Sequence, residues 1–141
     1  MAEVSATPLV RKLGIKLGHR IAFQNAPNDF SRTLGPLPTG CMVVAIDDPE
    51  ADRMDVILSF GESQTVLRRA FPDLKARLAI NGGLWLCWPK KASGVKTDLS
   101  DQVVQQIGLD GGLVDNKICS IDATWSAMRF VWRLRDRPPE S

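Results

Sequence analysis

The sequence has little of what the common catalytic and metal sites require. It contains one histidine, His19, and three cysteines, none of which forms a C-x-x-C pair. Nucleophilic catalysis by a Ser-His-Asp or Cys-His arrangement needs a histidine beside the nucleophile, and a zinc site needs several ligands at short spacing. We therefore expect no catalytic residue and no metal. The odd number of cysteines argues against a disulfide framework and fits a reducing cytoplasm.

Long hydrophobic runs and a strong net charge are also missing. No stretch approaches the ~20 apolar residues of a membrane-spanning helix, and residues 1–7 lack the apolar core of a signal peptide. The net charge is +2, with 44% apolar and 24% charged residues. This balance is typical of globular domains and does not favour a nucleic-acid partner. We expect one cytoplasmic domain over residues 1–137 without membrane contact, followed by a disordered tail over residues 138–141.

Strand-like and helix-like segments alternate along the chain. Apolar residues recur at helical spacing from Leu67 to Leu78, and a second helix is predicted from Thr97 or Asp98 to Ile107. Nearly continuous apolar runs fit strands that are covered on both faces of a parallel α/β sheet. The predicted strands are residues 20–25, 41–46, 54–60, 83–88, 113–121 and 127–134, and the last two form a hairpin.

Two features of this pattern matter for the fold. The stretch from Ala79 to Gly94 is predicted as a helix end, a turn at Gly82 and Gly83, a buried strand and a cationic loop. The seven residues between strands two and three reach roughly 23 Å at ~3.3 Å per residue. That length just permits a parallel return, and an antiparallel hairpin between these two strands stays an alternative.

A first resemblance is carried by the strand from Asp55 to Phe60, the glycine-led strand from Gly82 to Trp88, and the closing helix and hairpin. Together they resemble the C-terminal half of class I S-adenosylmethionine-dependent methyltransferases. The resemblance implies a three-layer Rossmann-like α/β sheet, mostly parallel, in the order 2-1-3-4-6-5 with strand six antiparallel. One departure is the turn from Gln24 to Asp29, which has no glycine and includes Pro27, a residue without an N–H.

A second resemblance extends over most of the chain. Residues Pro8 to Pro27, Gly82 to Asp98 (with W-P-K-K-A-S-G) and Gly112 to Phe130 (with G-L-V-D-N-K-I-C and T-W-S) are similar to the DUF3052 family of small bacterial proteins of unknown function. This resemblance implies a small Rossmann-like fold and no established activity.

A candidate site follows from the predicted sheet order. Ligands of open α/β sheets bind at the carboxyl ends of the strands beside the switch in strand order, here between strands one and three. Pro27 and Glu62 lie at this rim, and Asp47 occupies the place of a ribose-binding carboxylate, although Asp-Asp-Pro is also an ordinary turn. The predicted ligand-binding residues are Asn25, Asp47, Ser59, Trp88, Lys90, Lys91, Ser93, Gly94, Trp125 and Ser126.

The rim residues predict an anionic or flat ligand. Lys90 and Lys91 supply positive charge, and Ser93 and the loop N–H groups supply hydrogen bonds. Trp88 and Trp125 are expected to form an aromatic wall. The alternatives are a solubilising lysine turn and tryptophans that only pack over the core.

We expect a non-catalytic binding or regulatory module whose rim takes a small anionic or nucleotide-like ligand or a protein partner. Ser93 lacks a nearby base, and the one histidine is far from the rim. The alternative is a degenerate or minimal S-adenosylmethionine-dependent methyltransferase-like enzyme. No cofactor is expected under the first hypothesis, and S-adenosylmethionine or another nucleotide is expected under the second.

Overall fold

The computed structural model describes residues 7–137, so the expected tail over residues 138–141 lies outside the described residues. Six strands and four α-helices follow one another in these residues, with short 3₁₀ turns at Lys91–Ser93 and Leu134–Asp136. The strands are β1 (Arg20–Gln24), β2 (Met42–Val43), β3 (Met54–Phe60), β4 (Leu78–Pro89), β5 (Leu113–Ser120) and β6 (Trp125–Trp132). The helices are α1 (Leu9–Lys12), α2 (Phe30–Leu34), α3 (Gln64–Arg77) and α4 (Asp101–Asp110).

The strands form one sheet in the order β2-β1-β3-β4-β6-β5. Strands β1 to β4 are mutually parallel, and β6 is antiparallel to both β4 and β5. The predicted fold class, strand order and antiparallel sixth strand are therefore confirmed. The open question about strands two and three is also settled, because β2 and β3 lie on opposite sides of β1 and cannot form a hairpin.

Helices cover both faces of the sheet, which gives the three layers. The α3–α4 face of the sheet carries side chains that pack against α3 and α4, including those of Ala22, Ile57, Leu84 and Leu86. The α1–α2 face carries side chains that pack around α1 and α2, including those of Ile21, Leu58, Trp85 and Cys87. Trp85 is fully buried on this face, and its Nε1 donates to the carbonyl oxygen of Leu13 at 3.0 Å.

The predicted turn at Gly82 and Gly83 is wrong, because both glycines lie inside the twelve-residue strand β4. A Cβ at Gly82 would lie 2.8 Å from the carbonyl oxygen of Asp55. A Cβ at Gly83 would overlap the guanidinium of Arg129. The glycines therefore permit close approach within the sheet, where the β3–β4 register shifts between Met54 and Val56.

The second predicted strand is much shorter than expected. A strand covered on both faces was predicted from Cys41 to Ile46, whereas β2 contains only Met42 and Val43, which are 57% and 56% exposed. It is the edge strand next to β1, and its pairing continues only to the N–H of Val44, which donates to the carbonyl oxygen of Ile21 at 2.9 Å. Short edge strands of this kind limit pairing with other chains.

Candidate functional site

The turn that follows β1 has an unusual backbone conformation. Asn25 has a φ of 57° and is the one non-glycine residue with positive φ among residues 7–137. L-residues other than Asn and Asp rarely adopt this left-handed conformation, which glycine takes readily. Its Nδ2 donates to the carbonyl oxygen of Phe60 at 3.4 Å. The turn therefore has the geometry that a glycine would give, and it is tied to the end of β3.

A cavity of about 460 Å³ opens beside this turn, and we call it the β1–β3 cavity. It lies at the carboxyl ends of β1 and β3 and at the start of β6, as predicted for a ligand site in an open α/β sheet. Its volume is within the range of small-molecule sites, roughly 300–1,000 Å³. Its lining residues are Asn25, Pro27, Phe60, Gly61, Glu62, Val66 and Trp125.

Aromatic rings form one wall of the β1–β3 cavity. The rings of Phe60 and Trp125 meet edge to face, with centroids 5.1 Å apart and an interplanar angle of 88°. Phe30 packs against the far side of Phe60 in the same way, also at 5.1 Å. Phe60 and Phe30 are buried, whereas Trp125 is half-buried. The exposed part of the Trp125 ring therefore faces the cavity, and the buried part packs against Phe60.

The loop that follows Phe60 also lines the cavity, through Gly61 and Glu62. The N–H of Gly61 donates to the carbonyl oxygen of Cys87 at 3.0 Å, and a Cβ at this position would lie 2.7 Å from Cδ2 of Leu67. Thr97 donates its hydroxyl to the carbonyl oxygen of Glu62 at 2.6 Å. These contacts hold the loop in place and leave the Glu62 side chain exposed at the cavity.

Four of the residues that line this cavity were predicted from the sequence to lie at the rim: Asn25, Pro27, Glu62 and Trp125. The other three were not predicted: Phe60, Gly61 and Val66. Phe60 and Gly61 could have been identified from the sequence. An apolar strand that ends in Phe-Gly places the phenyl ring and a residue without a side chain at the carboxyl end of the strand, where ligands bind. Val66 could be found only from the structure, since it lies on the first turn of α3, away from the buried stripe.

Asp47 lies in a different cavity. It is exposed and lines a space of about 370 Å³ together with Gln24, Ile46, Pro49 and three residues of α3. Because Gln24 lines this space and Asn25 lines the β1–β3 cavity, the two cavities flank the end of β1. Arg77, one of these lining residues, donates to the carbonyl oxygens of Asp48 and Ala51 at 2.7 and 3.0 Å.

Two predicted rim residues are instead buried under α3 and α4. Ser59 is 1% exposed, and its hydroxyl donates to Oε1 of Gln24 at 2.9 Å. Trp88 is 5% exposed and belongs to the core of the α3–α4 face. Trp88 lies opposite Ser126 and Pro89 opposite Trp125, so Trp88 and Trp125 point to opposite faces of the sheet. The expected aromatic wall is therefore formed by Phe60 and Trp125 and not by the two tryptophans.

The cationic loop is largely occupied by its own contacts. Lys90 donates through Nζ to the hydroxyl of Ser120 at 2.6 Å, in the β5–β6 hairpin. Ser93 donates its hydroxyl to the carbonyl oxygen of Lys90 at 2.6 Å and accepts from the N–H of Val95 at 3.2 Å. Gly94, with a φ of 78°, ends the 3₁₀ turn. Lys91 is exposed, and an anion site on this loop stays a prediction.

Other reactive groups lie away from the β1–β3 cavity or are unreactive. His19 precedes the amino end of β1, and its Nδ1 accepts from the N–H of Lys16 at 3.1 Å. Burial raises the pKa of the Cys87 thiol well above its ordinary value, so it stays neutral. Residues 7–137 contain no group of three acidic, histidine or cysteine side chains that could hold a metal, and no helix among them is long and apolar enough to cross a membrane.

Comparison with known proteins gives the fold but no family. No family model matches the chain, and neither does any curated protein, so membership of DUF3052 is not confirmed. A SAM-dependent methyltransferase from Aquifex aeolicus matches with a TM-score of 0.61 and 14% identity over 86% of each chain. A TehB-like SAM-dependent methyltransferase from Corynebacterium glutamicum matches with a TM-score of 0.55 and 12% identity over 92% of this chain and 89% of the other.

A third solved structure that shares this fold is also a methyltransferase. The N-methyltransferase NodS from Bradyrhizobium japonicum has a TM-score of 0.55 and 17% identity over 86% of this chain and 90% of its own. The sheet is thus a class I methyltransferase-like Rossmann fold. The expectation of a non-catalytic binding module is contradicted by these matches, because the solved structures that share this fold are methyltransferases.

Proposed function

We propose that this chain is a small methyltransferase-like enzyme that binds S-adenosylmethionine at the carboxyl ends of β1 and β3. The observation that carries the proposal is the left-handed turn at Asn25 beside the β1–β3 cavity. Support comes from the strand order, since the methyltransferases that match over most of both chains have the same fold.

The lining of the β1–β3 cavity suits a sulfonium cation. A positive charge is attracted to aromatic rings, and Phe60 and Trp125 form a fixed aromatic wall there. The carboxylate of Glu62 supplies a negative charge at the same cavity. On the other side of the end of β1, Asp47 can accept hydrogen bonds from ribose hydroxyls. These residues fit the cationic and ribose parts of the cofactor.

The turn after β1 is not glycine-rich, and this lowers the expected affinity for S-adenosylmethionine. Asn25 supplies the backbone conformation of a glycine, but its side-chain amide is bound to Phe60. Pro27 has no N–H, so the turn offers one main-chain donor fewer to the carboxylate of the methionine moiety. We expect weaker binding than a turn with several free N–H groups provides.

Bound S-adenosylmethionine would supply an electrophilic methyl group. Phe60 and Trp125 would exclude water from one side of the β1–β3 cavity. Methylation of a neutral acceptor that carries an N–H or O–H group releases a proton, and the exposed carboxylate of Glu62 is the group among the cavity-lining residues that can accept it. This assigns cofactor binding to Trp125 and both charge pairing and proton acceptance to Glu62.

Calorimetric titration with S-adenosylmethionine and S-adenosylhomocysteine tests the proposal. Trp125→Ala should weaken both ligands, because it removes the exposed part of the aromatic wall. Glu62→Gln should weaken the binding of S-adenosylmethionine several-fold more than that of S-adenosylhomocysteine. Only the sulfonium of S-adenosylmethionine is positively charged and pairs with the carboxylate, whereas the thioether sulfur of S-adenosylhomocysteine is neutral. Lys96→Gln, an exposed change outside both cavities, is the matched control. Absence of heat for both ligands at millimolar concentration would overturn the proposal.

Three further proposals concern the cellular compartment, the extent of the domain and the family. The three free cysteines fit a reducing compartment, and we propose the cytoplasm. We also propose one domain over residues 1–137. Membership of DUF3052 rests on the three stretches of similar sequence given above.

A further inference from the structure

A row of side chains crosses three strands on the α1–α2 face of the sheet and ends in two cations. Arg129 of β6 lies directly opposite Trp85 of β4 and directly opposite Lys117 of β5. Residues paired in this way point to the same face of the sheet, with Cβ atoms about 4.5–5.5 Å apart. Like charges in such a pair are destabilising. The arrangement therefore costs the folded protein stability unless an anion neutralises it.

The position of Arg129 is built into the sheet. Its side chain is half-buried, and its guanidinium occupies the space above Gly83, where a Cβ would come within 2.7 Å of Cζ. Among residues 7–137 its guanidinium has neither a hydrogen-bond nor an ion-pair partner. Burial, and secondarily the charge of Arg137, lower its pKa from the ordinary arginine value. A guanidinium held in place with its donors unused is unusual, because buried charges are normally paired.

One further cation, Arg137, lies close enough to act on the charge of Arg129, and two carboxylates of the described β5–β6 hairpin are engaged elsewhere. Arg137 donates through Nε and Nη2 to the carbonyl oxygen of Trp132 at 3.2 and 3.1 Å. Asp115 faces the opposite side of the sheet, where Gln105 donates to it at 3.2 Å. Asp122 accepts two main-chain N–H bonds in the β5–β6 hairpin, both at 2.9 Å.

We infer that Lys117, Arg129 and Arg137, which we call the Arg129 cluster, form a binding site for a phosphate group. The planar guanidinium matches phosphate oxygens bidentately, and lysine adds a point charge. Within the described residues no carboxylate forms an ion pair with these three cations. Such a cluster suits a ligand with about two negative charges better than one with a single negative charge. Nothing in the proposed methyl transfer requires this site. Trp125 is four residues from Arg129 along β6, or about 13 Å at ~3.3 Å per residue, so the two sites are separate.

Titration of isotope-labelled protein with inorganic pyrophosphate, followed by amide NMR, tests this site. The inference predicts saturable shifts at residues of β5 and β6 around Lys117 and Arg129. Arg129→Gln and Lys117→Gln should each weaken pyrophosphate about tenfold or more, because hydrogen bonds to charged groups contribute at least that factor. Lys96→Gln makes the same charge change on an exposed loop and should leave the affinity unchanged.

Lys117→Glu separates loss of binding from loss of folding. The new carboxylate would lie opposite Arg129, so this variant should be at least as stable to heat as the parent and yet fail to bind pyrophosphate. Parallel titrations with ATP and with a single-stranded oligonucleotide show whether the phosphate comes from a nucleotide or a nucleic acid. The inference is overturned if pyrophosphate causes no saturable shift, if Lys96→Gln weakens it as much as Arg129→Gln, or if only a polyglutamate peptide binds.

Discussion

Substitution of Asn25 tests whether the turn after β1 has the left-handed conformation on which the candidate site depends. With a φ of 57°, this position should accept glycine and resist alanine. The hydrogen bond from Asn25 to Phe60 is long, at 3.4 Å, and its loss should cost little. We therefore predict that Asn25→Gly is close to the parent in stability and that Asn25→Ala is less stable than Asn25→Gly.

The size of the difference follows from two opposing terms. A left-handed L-residue costs about 1–2 kcal/mol relative to glycine. Alanine recovers about 0.4–1 kcal/mol because it restricts the unfolded chain more than glycine does. The difference of these two ranges is about 0–1.6 kcal/mol, so we expect Asn25→Ala to be about 0.8 kcal/mol less stable than Asn25→Gly, which corresponds to a few degrees in melting temperature for a domain of this size.

Asn28 gives a matched control within the same turn. It is exposed and does not have a positive φ, so alanine should there be the more stable of the two substitutions by about 0.4–1 kcal/mol. Urea unfolding of the four variants, followed by circular dichroism, measures both differences. If Asn25→Ala is at least as stable as Asn25→Gly, the left-handed turn does not exist in solution and the argument from it fails.

Two further predictions concern the core. Gly108 of α4 packs on the buried ring of Phe130, so Gly108→Ala should lower the free energy of unfolding measured in urea. The reason is that overpacking costs about 1–3 kcal/mol, whereas the gain in helix propensity is about 1 kcal/mol. An unchanged or raised free energy of unfolding would contradict this packing. Because burial raises the pKa of Cys87, the unfolded state loses that proton first, and the free energy of unfolding should fall as pH rises above the ordinary thiol value of about 8.5. Cys87→Ala should flatten this slope, and an equal slope in the two proteins would show that other groups cause it.

The sheet could be predicted from the sequence because its signals are local. Apolar runs gave the strands, the stripe from Leu67 to Leu78 gave α3, and the resemblance to methyltransferases gave the strand order that the structure shows. The failures involve contacts between distant residues. Gly82 and Gly83 look like a turn in sequence, and only the carbonyl of Asp55 and the side chain of Arg129 explain two glycines inside a strand.

The candidate site was only partly predictable for the same reason. Asn25 and Trp125 follow from the rule that ligands bind at strand ends, and both line the β1–β3 cavity. The face to which a side chain points depends on register, which the sequence does not specify to one residue. Trp88 and Ser59 were therefore expected at an open rim, whereas both face the α3–α4 core.

The most direct test of the central claim is an amide NMR titration of isotope-labelled protein with S-adenosylhomocysteine. The account predicts saturable shifts concentrated at Asn25, Gly61 and Glu62 and at the indole N–H of Trp125, the residues that line the β1–β3 cavity. Absence of shifts at millimolar ligand, or shifts confined to residues outside the carboxyl ends of β1 and β3, would contradict a methyltransferase-like site at this position.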